Sequence, residues 1–377
     1  MDKICDEKKC FGCAACIDKC PVSCIHFEQN TVGHFVPKID TTKCIDCKSC
    51  VKICPVNNLP EQKYPVEVLA AWRKSEPIRI KSSSGGLATV LSEYVINNGG
   101  IVYGASFVSG FRFNHIRCTT HEELDALRGS KYVQSNMRGI YKNISNDLKN
   151  GLKVLFIGTP CQVAGIKNAF ANHDENLMTI DLVCHGVPSN AMLQASLPKR
   201  ILNSDADRID FRESTRYLFS VKKGDLTIFE RPLNRDYYSK GFFVGLFYRD
   251  SCYICPFAQS RRIGDITLGD FWGIDRSVVP IDPKTGISLF LVNTTKGQKL
   301  YKEILPEIGT IVRPYDEAIQ NNKQLKSPKP ASFRSRLFRI LFPVLGFKWS
   351  IRLSIPEIIV KGLFVKSQRG GGEEMID

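Results

Sequence analysis

Apolar and polar positions follow two periods along the middle of the chain, and the two periods alternate. Residues 66–72, 152–157 and 177–183 are apolar runs with the length of buried strands. Each run is followed by a stretch with apolar residues at helical spacing. In the first of these stretches the apolar face consists of Leu87, Val90, Leu91, Tyr94 and Val95. The alternation predicts an α/β domain built on a sheet with parallel strands.

Shorter patterns predict the elements around these units. Strands are predicted at residues 100–108, 112–118 and 290–294, with short alternating strands between residues 208 and 231. Helices are predicted at residues 121–128, 137–149, 236–248 and 296–304. Residues 57–65 are polar and proline-containing, which is typical of a linker, so the α/β domain is expected to begin after them.

Two cysteine motifs of identical spacing precede the linker. In each motif three cysteines are separated by two residues, a fourth follows after three more, and a proline comes next. The motifs are Cys10, Cys13, Cys16, Cys20 and Pro21, and Cys44, Cys47, Cys50, Cys54 and Pro55. This is the spacing of bacterial ferredoxins with two [4Fe-4S] clusters. Residues 25–29 and 34–39 between the motifs are predicted to form a hairpin.

The fourth cysteine of each motif is expected to bind the cluster of the other motif. Three cysteines two residues apart can wrap around one cluster, whereas the proline turns the chain away after the fourth. Zinc sites or a disulfide framework are the alternatives, and the doubled pattern with both prolines disfavours them. We therefore assign one cluster to Cys10, Cys13, Cys16 and Cys54, and the other to Cys44, Cys47, Cys50 and Cys20.

Four further cysteines form a second candidate set. Cys161 follows the predicted strand 152–157, and Cys184 follows the strand 177–183. Both fall at the carboxyl ends of strands, where open α/β sheets bind ligands. With Cys252 and Cys255 they make a plausible four-thiolate set for a third cluster, and buried, inert cysteines are the alternative. No role is assigned to Cys5, Cys24 or Cys118.

A serine- and glycine-rich turn precedes the first helix of the α/β domain. Residues 82–86 read Ser-Ser-Ser-Gly-Gly. Free backbone amides and the dipole of a helix N-terminus favour a phosphate, and glycine lets the ligand approach closely. The alternative is an ordinary helix cap. Farther along, Lys131 lies in a predicted loop, where it faces either an anionic ligand or solvent.

Composition limits the class of protein. The chain has 377 residues, of which 43% are hydrophobic and 24% charged, as in soluble globular proteins of two or three domains. The sequence begins at Met1 without the apolar region of a signal peptide, so we expect a cytoplasmic protein. Its 15 cysteines would then stay reduced, and metal ligation is their expected use.

The net charge of +14 is concentrated at the C-terminus. Residues 320–377 hold 11 Lys and Arg against 4 Asp and Glu, a net of +7. A positive net charge of this size favours binding to nucleic acid, to an anionic membrane surface or to an acidic partner. Of these three, we do not expect nucleic acid. Residues 333–366 mix basic and apolar residues and are too short and too charged to span a bilayer. They are interpreted as a helix docked on the domain or as a peripheral contact with the inner face of the membrane.

Some motifs that would indicate other chemistry are absent from the sequence. It has no Gly-x-Gly-x-x-Gly after a strand and no Walker-type phosphate loop, so neither a Rossmann dinucleotide site nor a nucleotide hydrolase is indicated. It also lacks the Cys-x-x-x-Cys-x-x-Cys motif of radical S-adenosylmethionine chemistry.

Five segments together resemble the β subunit of coenzyme F-420 hydrogenase/dehydrogenase. They are Ser83-Ser84-Gly85-Gly86, Gly129-Ser130-Lys131-Tyr132, Gly158-Thr159-Pro160-Cys161-Gln162, Cys184-His185-Gly186, and residues 266–272. The resemblance covers about residues 66–304. The two-cluster front end is similar to the ferredoxin-fused branch that includes the reduced-deazaflavin dehydrogenases. The same family contains the plant 7-hydroxymethyl chlorophyll a reductase.

The resemblance implies one FAD in the α/β domain and a [4Fe-4S] cluster beside it. By motif, Ser83, Ser84, Gly85 and Gly86 would face the FAD phosphates. Lys131, Gly158 and Thr159 would lie along the cofactor, and Cys161, Cys184, Cys252 and Cys255 would hold the third cluster. A flavin exchanges a hydride with an organic partner and passes electrons on singly, so it joins two-electron to one-electron chemistry.

The expected architecture combines α+β and α/β parts. A two-cluster ferredoxin domain at residues 1–60 precedes an α/β domain at 66–325 that binds FAD and a cluster, and a basic helical segment at 326–377 follows.

Three functions are compatible with this architecture. The first is an F-420 dehydrogenase-like flavin and iron-sulfur oxidoreductase. The second is a reductase that takes electrons from ferredoxin or another redox protein and reduces an organic substrate, such as a sugar or lipid-linked intermediate. The third is an electron-transfer subunit with no substrate of its own. Bound flavin separates the first two from the third.

Overall fold

The computed structural model describes residues 1–173, 175–212, 217–282 and 285–357. Part of the predicted basic segment, residues 358–377, lies outside the described residues. So do residues 213–216, which fall within the region of short predicted strands.

Strands and helices alternate through most of the chain. The strands are β1 (Ile25–Gln29), β2 (Phe35–Ile39), β3 (Glu67–Arg73), β4 (Ile101–Val108), β5 (Arg112–Cys118), β6 (Val154–Gly158), β7 (Leu177–Leu182), β8 (Arg208–Asp210), β9 (Leu218–Lys223), β10 (Leu226–Pro232), β11 (Ile266–Asp270), β12 (Ser288–Val292) and β13 (Ile308–Val312). The helices are α1 (Ala15–Asp18), α2 (Ser49–Ile53), α3 (Glu76–Ile80), α4 (Leu87–Asn97), α5 (His121–Leu124), α6 (Ile140–Lys149), α7 (Pro160–Ala169), α8 (Asn190–Ser196), α9 (Lys199–Leu202), α10 (Tyr237–Val244), α11 (Thr295–Ile304), α12 (Tyr315–Asn321) and α13 (Phe333–Ser354).

Within the described residues the strands form three sheets. The main sheet has eight strands in the order β13-β3-β12-β11-β7-β6-β4-β5. The pairs β4/β6, β6/β7 and β7/β11 are parallel, and the other pairs of this sheet are antiparallel. The hairpin of β1 and β2 belongs to the cysteine-rich N-terminal part, and β10-β9-β8 forms a small antiparallel sheet. The prediction of a mixed α and β architecture is confirmed.

The central strands are buried on both faces, as their continuous apolar sequences predict. Phe156 of β6 packs into one hydrophobic cluster with residues of α6 and α7, whereas its neighbour Leu155 points to the opposite face and packs with residues of α4 and α11. All five residues of β12 are buried. Helices therefore cover both faces of the main sheet.

The parallel strands bring their carboxyl ends to one edge of the main sheet. Gly158 ends β6, Leu182 ends β7 and Asp270 ends β11. Strand β3 runs in the same direction as β11, because each is antiparallel to β12 between them, so Arg73 lies at this edge as well. The segments that follow β3, β6 and β7 carry seven of the predicted site residues, namely Ser83, Ser84, Gly85, Gly86, Thr159, Cys161 and Cys184.

Three predicted helix boundaries are wrong. Helix α5 ends at Leu124 rather than at residue 128, because the chain continues as a 3-10 turn over Asp125–Leu127. In the other two cases a glycine explains the difference. Helix α6 begins at Ile140 rather than at residue 137, because Gly139 before it has a φ of 83°. Helix α10 ends at Val244 rather than at residue 248, because Gly245 has a φ of 72°. Both values lie in the left-handed region, which favours glycine and interrupts a right-handed helix.

The C-terminal helix α13 docks on the α/β domain by one face. Phe338, Phe347 and Ile351 are buried in a cluster with residues of α8 and α10. The helix bends at Gly346, whose φ of 66° and ψ of 179° are not helical. Among the residues described here, no helix has the length and apolar content needed to cross a membrane.

Candidate iron-sulfur and flavin site

Five cysteines line one cavity in the N-terminal part of the protein, which we call the first thiol site. The lining thiols are Cys5, Cys10, Cys13, Cys16 and Cys54. The loop between Cys10 and Cys16 turns tightly, with Gly12 and Ala14 both in the left-handed region. The amide of Gly12 donates a hydrogen bond to the Cys10 sulfur at 3.3 Å. Such donors stabilise a charged thiolate in its ligand form.

A second cavity, the second thiol site, repeats this arrangement. Its lining thiols are Cys20, Cys24, Cys44, Cys47 and Cys50. Asp46 and Lys48 have positive φ angles, at the positions that correspond to Gly12 and Ala14 in the first motif. The two motifs therefore share one loop conformation, and Cys54 and Cys20 lie with the cysteines of the opposite motif. That the eight predicted cysteines ligate clusters in these two sets stays a prediction.

The third thiol site lies at the carboxyl edge of the main sheet. Its cavity is lined by the remaining predicted ligands, Cys161, Cys184, Cys252 and Cys255. Cys161 lies in the first turn of α7, and Cys184 follows β7. A one-turn helix over Asp250–Ile254 carries Cys252 and ends at Cys255. The fold thus brings together four thiols that the sequence separates by up to 94 residues.

Among the described residues, no three His, Cys, Asp or Glu side chains converge closely enough to hold a single metal ion. Burial raises the pKa of Cys161 to about 11 and the pKa of Cys184 to about 12. Because iron binds the thiolate, assembly of a cluster on these thiols would release protons.

The first and third thiol sites share a wall. Phe11 lines both cavities. Helix α7, which carries Cys161, approaches the first site at Gly165, where a Cβ atom would lie 3.3 Å from the Cys13 sulfur. Tyr141 of α6 donates a hydrogen bond to the carbonyl oxygen of Cys13 at 3.0 Å. Phe11 and helix α7 therefore contact both sites.

Arg249 lies between the same two sites. It is buried and lines the third cavity, and a Cβ atom on Gly12 of the first site would lie 2.5 Å from its guanidinium. The guanidinium donates a hydrogen bond to the carbonyl oxygen of Phe35 at 3.0 Å. A hydrogen bond from Cys5 lowers the pKa of Cys10 to about 6, and Arg249 contributes in the same direction. One buried cation therefore acts on both thiol sites.

The serine- and glycine-rich turn is held against the start of β12. Ser84 donates a hydrogen bond to the carbonyl oxygen of Ile287 at 3.0 Å, and the amide of Gly85 donates to Ser288 Oγ at 3.0 Å. Ser83 Oγ accepts a hydrogen bond from the amide of Ser130 at 2.8 Å. Ser84 and Gly85 thus fix the turn to β12, whereas Ser83 fixes it to the loop that contains Ser130.

An ion pair closes the side of this turn. Arg212 binds both carboxylate oxygens of Asp270, at 2.9 and 3.1 Å, and also donates to the carbonyl oxygen of Ser83. Its guanidinium lies 5.5 Å from the ring centre of Trp272. Burial lowers the pKa of His185, which lines the third thiol site, and Asp270 opposes this shift. Asp270 therefore lies within electrostatic reach of the third thiol site as well as beside the turn.

Lys131 is surrounded by backbone carbonyl oxygens, an environment that the sequence did not indicate. Its ammonium donates hydrogen bonds to the carbonyl oxygens of Leu127 at 2.7 Å, Arg128 at 2.6 Å and Ala126 at 3.3 Å. Burial lowers its pKa to about 7. In this structure Lys131 secures the end of a turn, and its role along a cofactor stays a prediction.

Gly158 and Thr159 form the entry to α7. The amide of Thr159 donates to the side-chain oxygen of Gln162 at 2.9 Å, and Thr159 Oγ1 lies 3.2 Å from the Cys161 sulfur. A Cβ atom on Gly158 would lie 2.7 Å from the ring of Phe156, so a larger residue would displace that ring. These two residues hold Cys161 in place at the start of the helix.

Profiles of known families match most of the chain. Residues 68–142 match the N-terminal part, and residues 151–317 the C-terminal part, of the coenzyme F420 hydrogenase/dehydrogenase beta subunit. The chain belongs to this family. Residues 9–58 match the 4Fe-4S dicluster domain, so the N-terminal part of this family member is an iron-sulfur domain of the ferredoxin type.

A solved structure is similar to the chain. The chain is similar to one from the F420-reducing [NiFe] hydrogenase complex of Methanosarcina barkeri, with 20% sequence identity and a TM-score of 0.47. The match covers 81% of this chain and 95% of that one. No curated protein matches this family member.

FAD is the cofactor that the resemblance to this family implies, and the turn before α4 offers a fitting cradle for its phosphates. Gly86 directly precedes α4 and has a φ of 81°, and among the described residues no side chain caps this helix. The Cβ atom of Arg73 and the Cα atom of Arg79 lie 3.4 and 3.8 Å from the place of a Cβ atom on Gly86, and both arginines are buried. The guanidinium of Arg73 forms an ion pair with Glu93 over 2.7 Å. In the described part of the chain, Arg79 Nε has no hydrogen-bond partner. Uncapped backbone amides at the start of a helix suit a phosphate group.

Sequence reasoning missed several residues that shape the site. Arg212, Ser288, Ser251 and Arg249 occur in no motif that was singled out for chemistry. The one local signal was the position of Arg249, a cation three residues before the Cys252-x-x-Cys255 pair. The others act through contacts between residues 58 or more apart in the sequence, and no short pattern encodes such contacts.

Proposed function

We propose that this protein is an iron-sulfur flavoprotein oxidoreductase that couples hydride transfer at FAD to one-electron transfer through [4Fe-4S] clusters, as a coenzyme F-420 dehydrogenase-like enzyme. One observation carries the proposal. The third thiol site shares a wall with the first thiol site and reaches, through His185 and Asp270, to the turn that suits FAD phosphates. A two-electron site and a one-electron chain would thus be contiguous.

The order of the thiol sites supports a linear route for electrons. The second site is at the surface, where Cys47 is exposed, and the first site is buried. The first site adjoins the third through Phe11. Electrons would pass between the flavin and an external redox protein in the order third, first and second cluster. The exposed end is where ferredoxin or another redox protein would dock.

The organic side of the reaction would take place at the carboxyl edge of the main sheet. FAD supplies hydride chemistry at its ring when bound. Ser83 and the backbone amides at the start of α4 would hold its phosphates. Arg212 and Asp270 keep the turn closed on one side. The partner there would be coenzyme F-420 or another organic two-electron substrate.

A second function uses the same route in the opposite direction. The exposure of Cys47 at the end of the thiol chain would also admit electrons from reduced ferredoxin. The protein would then reduce an organic substrate, such as a sugar or lipid-linked intermediate, at the flavin. An electron-transfer subunit without flavin is the remaining candidate. The division into residues 1–60, 66–325 and 326–377 is proposed for all three functions.

One experiment tests the flavin claim. Protein purified without oxygen is expected to contain about twelve irons per chain, from three clusters, and one FAD. The flavin absorbance is then followed after separate addition of reduced coenzyme F-420 and of reduced ferredoxin. Bleaching by the deazaflavin supports the first function, and bleaching by ferredoxin alone supports the second. Full iron content with no flavin would contradict both and leave the electron-transfer subunit.

A further inference from the structure

Helix α13 carries exposed apolar side chains on the side that faces away from the domain. Ile340, Val344 and Trp349 are 70%, 81% and 57% exposed. Phe333 precedes them at helical spacing, and after the bend at Gly346 the spacing continues through Trp349 to Leu353. We call this surface the α13 apolar stripe, and its members are Phe333, Ile340, Val344, Leu345, Trp349 and Leu353.

Within residues 1–173, 175–212, 217–282 and 285–357, the fold does not bury this stripe. The opposite side of α13 supplies the contacts that dock the helix, through Phe338, Phe347 and Ile351. Each stripe side chain instead keeps between 40% and 81% of its surface in contact with solvent. A contiguous apolar surface of this kind is uncommon on a protein that meets only water, and it marks an interaction site.

Positive charges flank the stripe. Arg336 and Lys348 are exposed and, in the described part of the chain, neither forms an ion pair. Arg352 lies with its guanidinium 5.3 Å from the ring centre of Trp349. Cations beside exposed aromatic and aliphatic residues are the composition of helices that lie in the headgroup region of a membrane.

We propose that the α13 apolar stripe inserts into the surface of an anionic lipid membrane, with Arg336 and Lys348 against the lipid headgroups. Charge complementarity favours this occupant over a second copy of the chain. A two-fold contact through the stripe would bring the same cations of both copies together, away from water, and like charges in that setting repel. Anionic headgroups would neutralise them instead. The proposal does not depend on the flavin chemistry.

Sedimentation with vesicles tests the proposal. The full-length protein is expected to sediment with phosphatidylcholine vesicles that contain phosphatidylglycerol, and to bind pure phosphatidylcholine vesicles much more weakly. Val344→Asp is expected to lower binding by more than about tenfold, because it removes an inserted side chain and adds a negative charge. The matched control is Val312→Asp on β13, where the valine is 74% exposed away from α13. This control is expected to bind like the unaltered protein.

The charges are tested separately. Replacing Arg336 and Lys348 by Gln is expected to lower binding to the anionic vesicles roughly fivefold for each cation removed. The control replaces the exposed Lys142 and Lys149 of α6 by Gln and is expected to change nothing. Iron content equal to that of the unaltered protein checks that each variant folds.

Two results would overturn the proposal. One is the absence of binding to anionic vesicles by protein that contains its iron. The other is a dimer in solution that Val344→Asp converts to a monomer, because a second copy would then cover the stripe.

Discussion

Ser251 donates a hydrogen bond from its hydroxyl to the backbone carbonyl oxygen of Cys10, over 3.0 Å. Ser251 directly precedes Cys252 of the third thiol site, and Cys10 belongs to the first. The hydrogen bond therefore joins the segment that carries Cys252 to the segment that carries Cys10, and these two cysteines are candidate ligands of different clusters. It is buried, so it fixes the distance between the two sites without intervening water. In the electron route proposed above, this contact would keep the first and third clusters next to each other.

Loss of one thiol of the third site should remove one cluster. Cys161→Ser is expected to lower the iron content by about four atoms per chain, from about twelve, while the signals of the two ferredoxin clusters stay. The control is Cys118→Ser, since Cys118 is a buried free thiol that donates to the carbonyl oxygen of Glu123 and lines none of the three thiol sites. Iron content is measured on protein handled without oxygen. Unchanged iron in Cys161→Ser would rule out a third cluster at these cysteines.

Removal of the Arg249 charge should change two reduction potentials together. A buried cation stabilises the reduced, more negative form of a nearby cluster. Arg249→Met is therefore expected to lower the potentials of the first and third clusters by on the order of 50 mV, and Arg249→Lys should restore most of the difference. The second cluster serves as an internal control, because Arg249 does not line its cavity. Potentiometric titration followed by electron paramagnetic resonance resolves the clusters. An equal shift in the reduction potentials of all three clusters would contradict the position of Arg249 between the first and third thiol sites.

Crowding at the start of α4 should release FAD and leave the iron in place. Gly86→Ala would put a Cβ atom 3.3 Å from Ser82 Oγ at a φ of 81°. We expect FAD affinity to fall by about tenfold or more, because the amides that would hold the phosphates shift. The control is Gly99→Ala, since Gly99 has a φ of 72° but no atom within 4 Å of a new Cβ. An alanine at position 99 is strained by its backbone in the same way as an alanine at position 86, but it lies after the end of α4 rather than at its start. Equal loss of FAD in both variants would show that strain alone is responsible.

The cysteine spacing carried more information than any other part of the sequence. Cys10, Cys13 and Cys16 are so close in the chain that their loop geometry is local, and the repeat at Cys44 doubles the signal. The strands β6 and β7 were predictable for a similar reason, since a buried parallel strand is a continuous apolar run. Both features depend on residues that are neighbours in the sequence.

The contacts that organise the candidate site depend on the tertiary fold. Ser251 and Cys10 are 241 residues apart, and Arg212 and Ser83 are 129 apart. The three carbonyl oxygens that bind Lys131 are close in sequence, but only the turn geometry aims them at its ammonium. Helix α6 starts three residues late because Gly139 adopts a left-handed conformation that helical periodicity does not reveal.

The central claim is that the third cluster connects the flavin to the ferredoxin clusters. It is tested most directly by rapid mixing of reduced coenzyme F-420 with the unaltered protein and with Cys161→Ser, while flavin and cluster absorbance are followed separately. In the unaltered protein, flavin reduction should be followed by cluster reduction. In Cys161→Ser, the flavin should still be reduced while the two ferredoxin clusters stay oxidised. Reduction of those clusters at the same rate in both proteins would contradict the account.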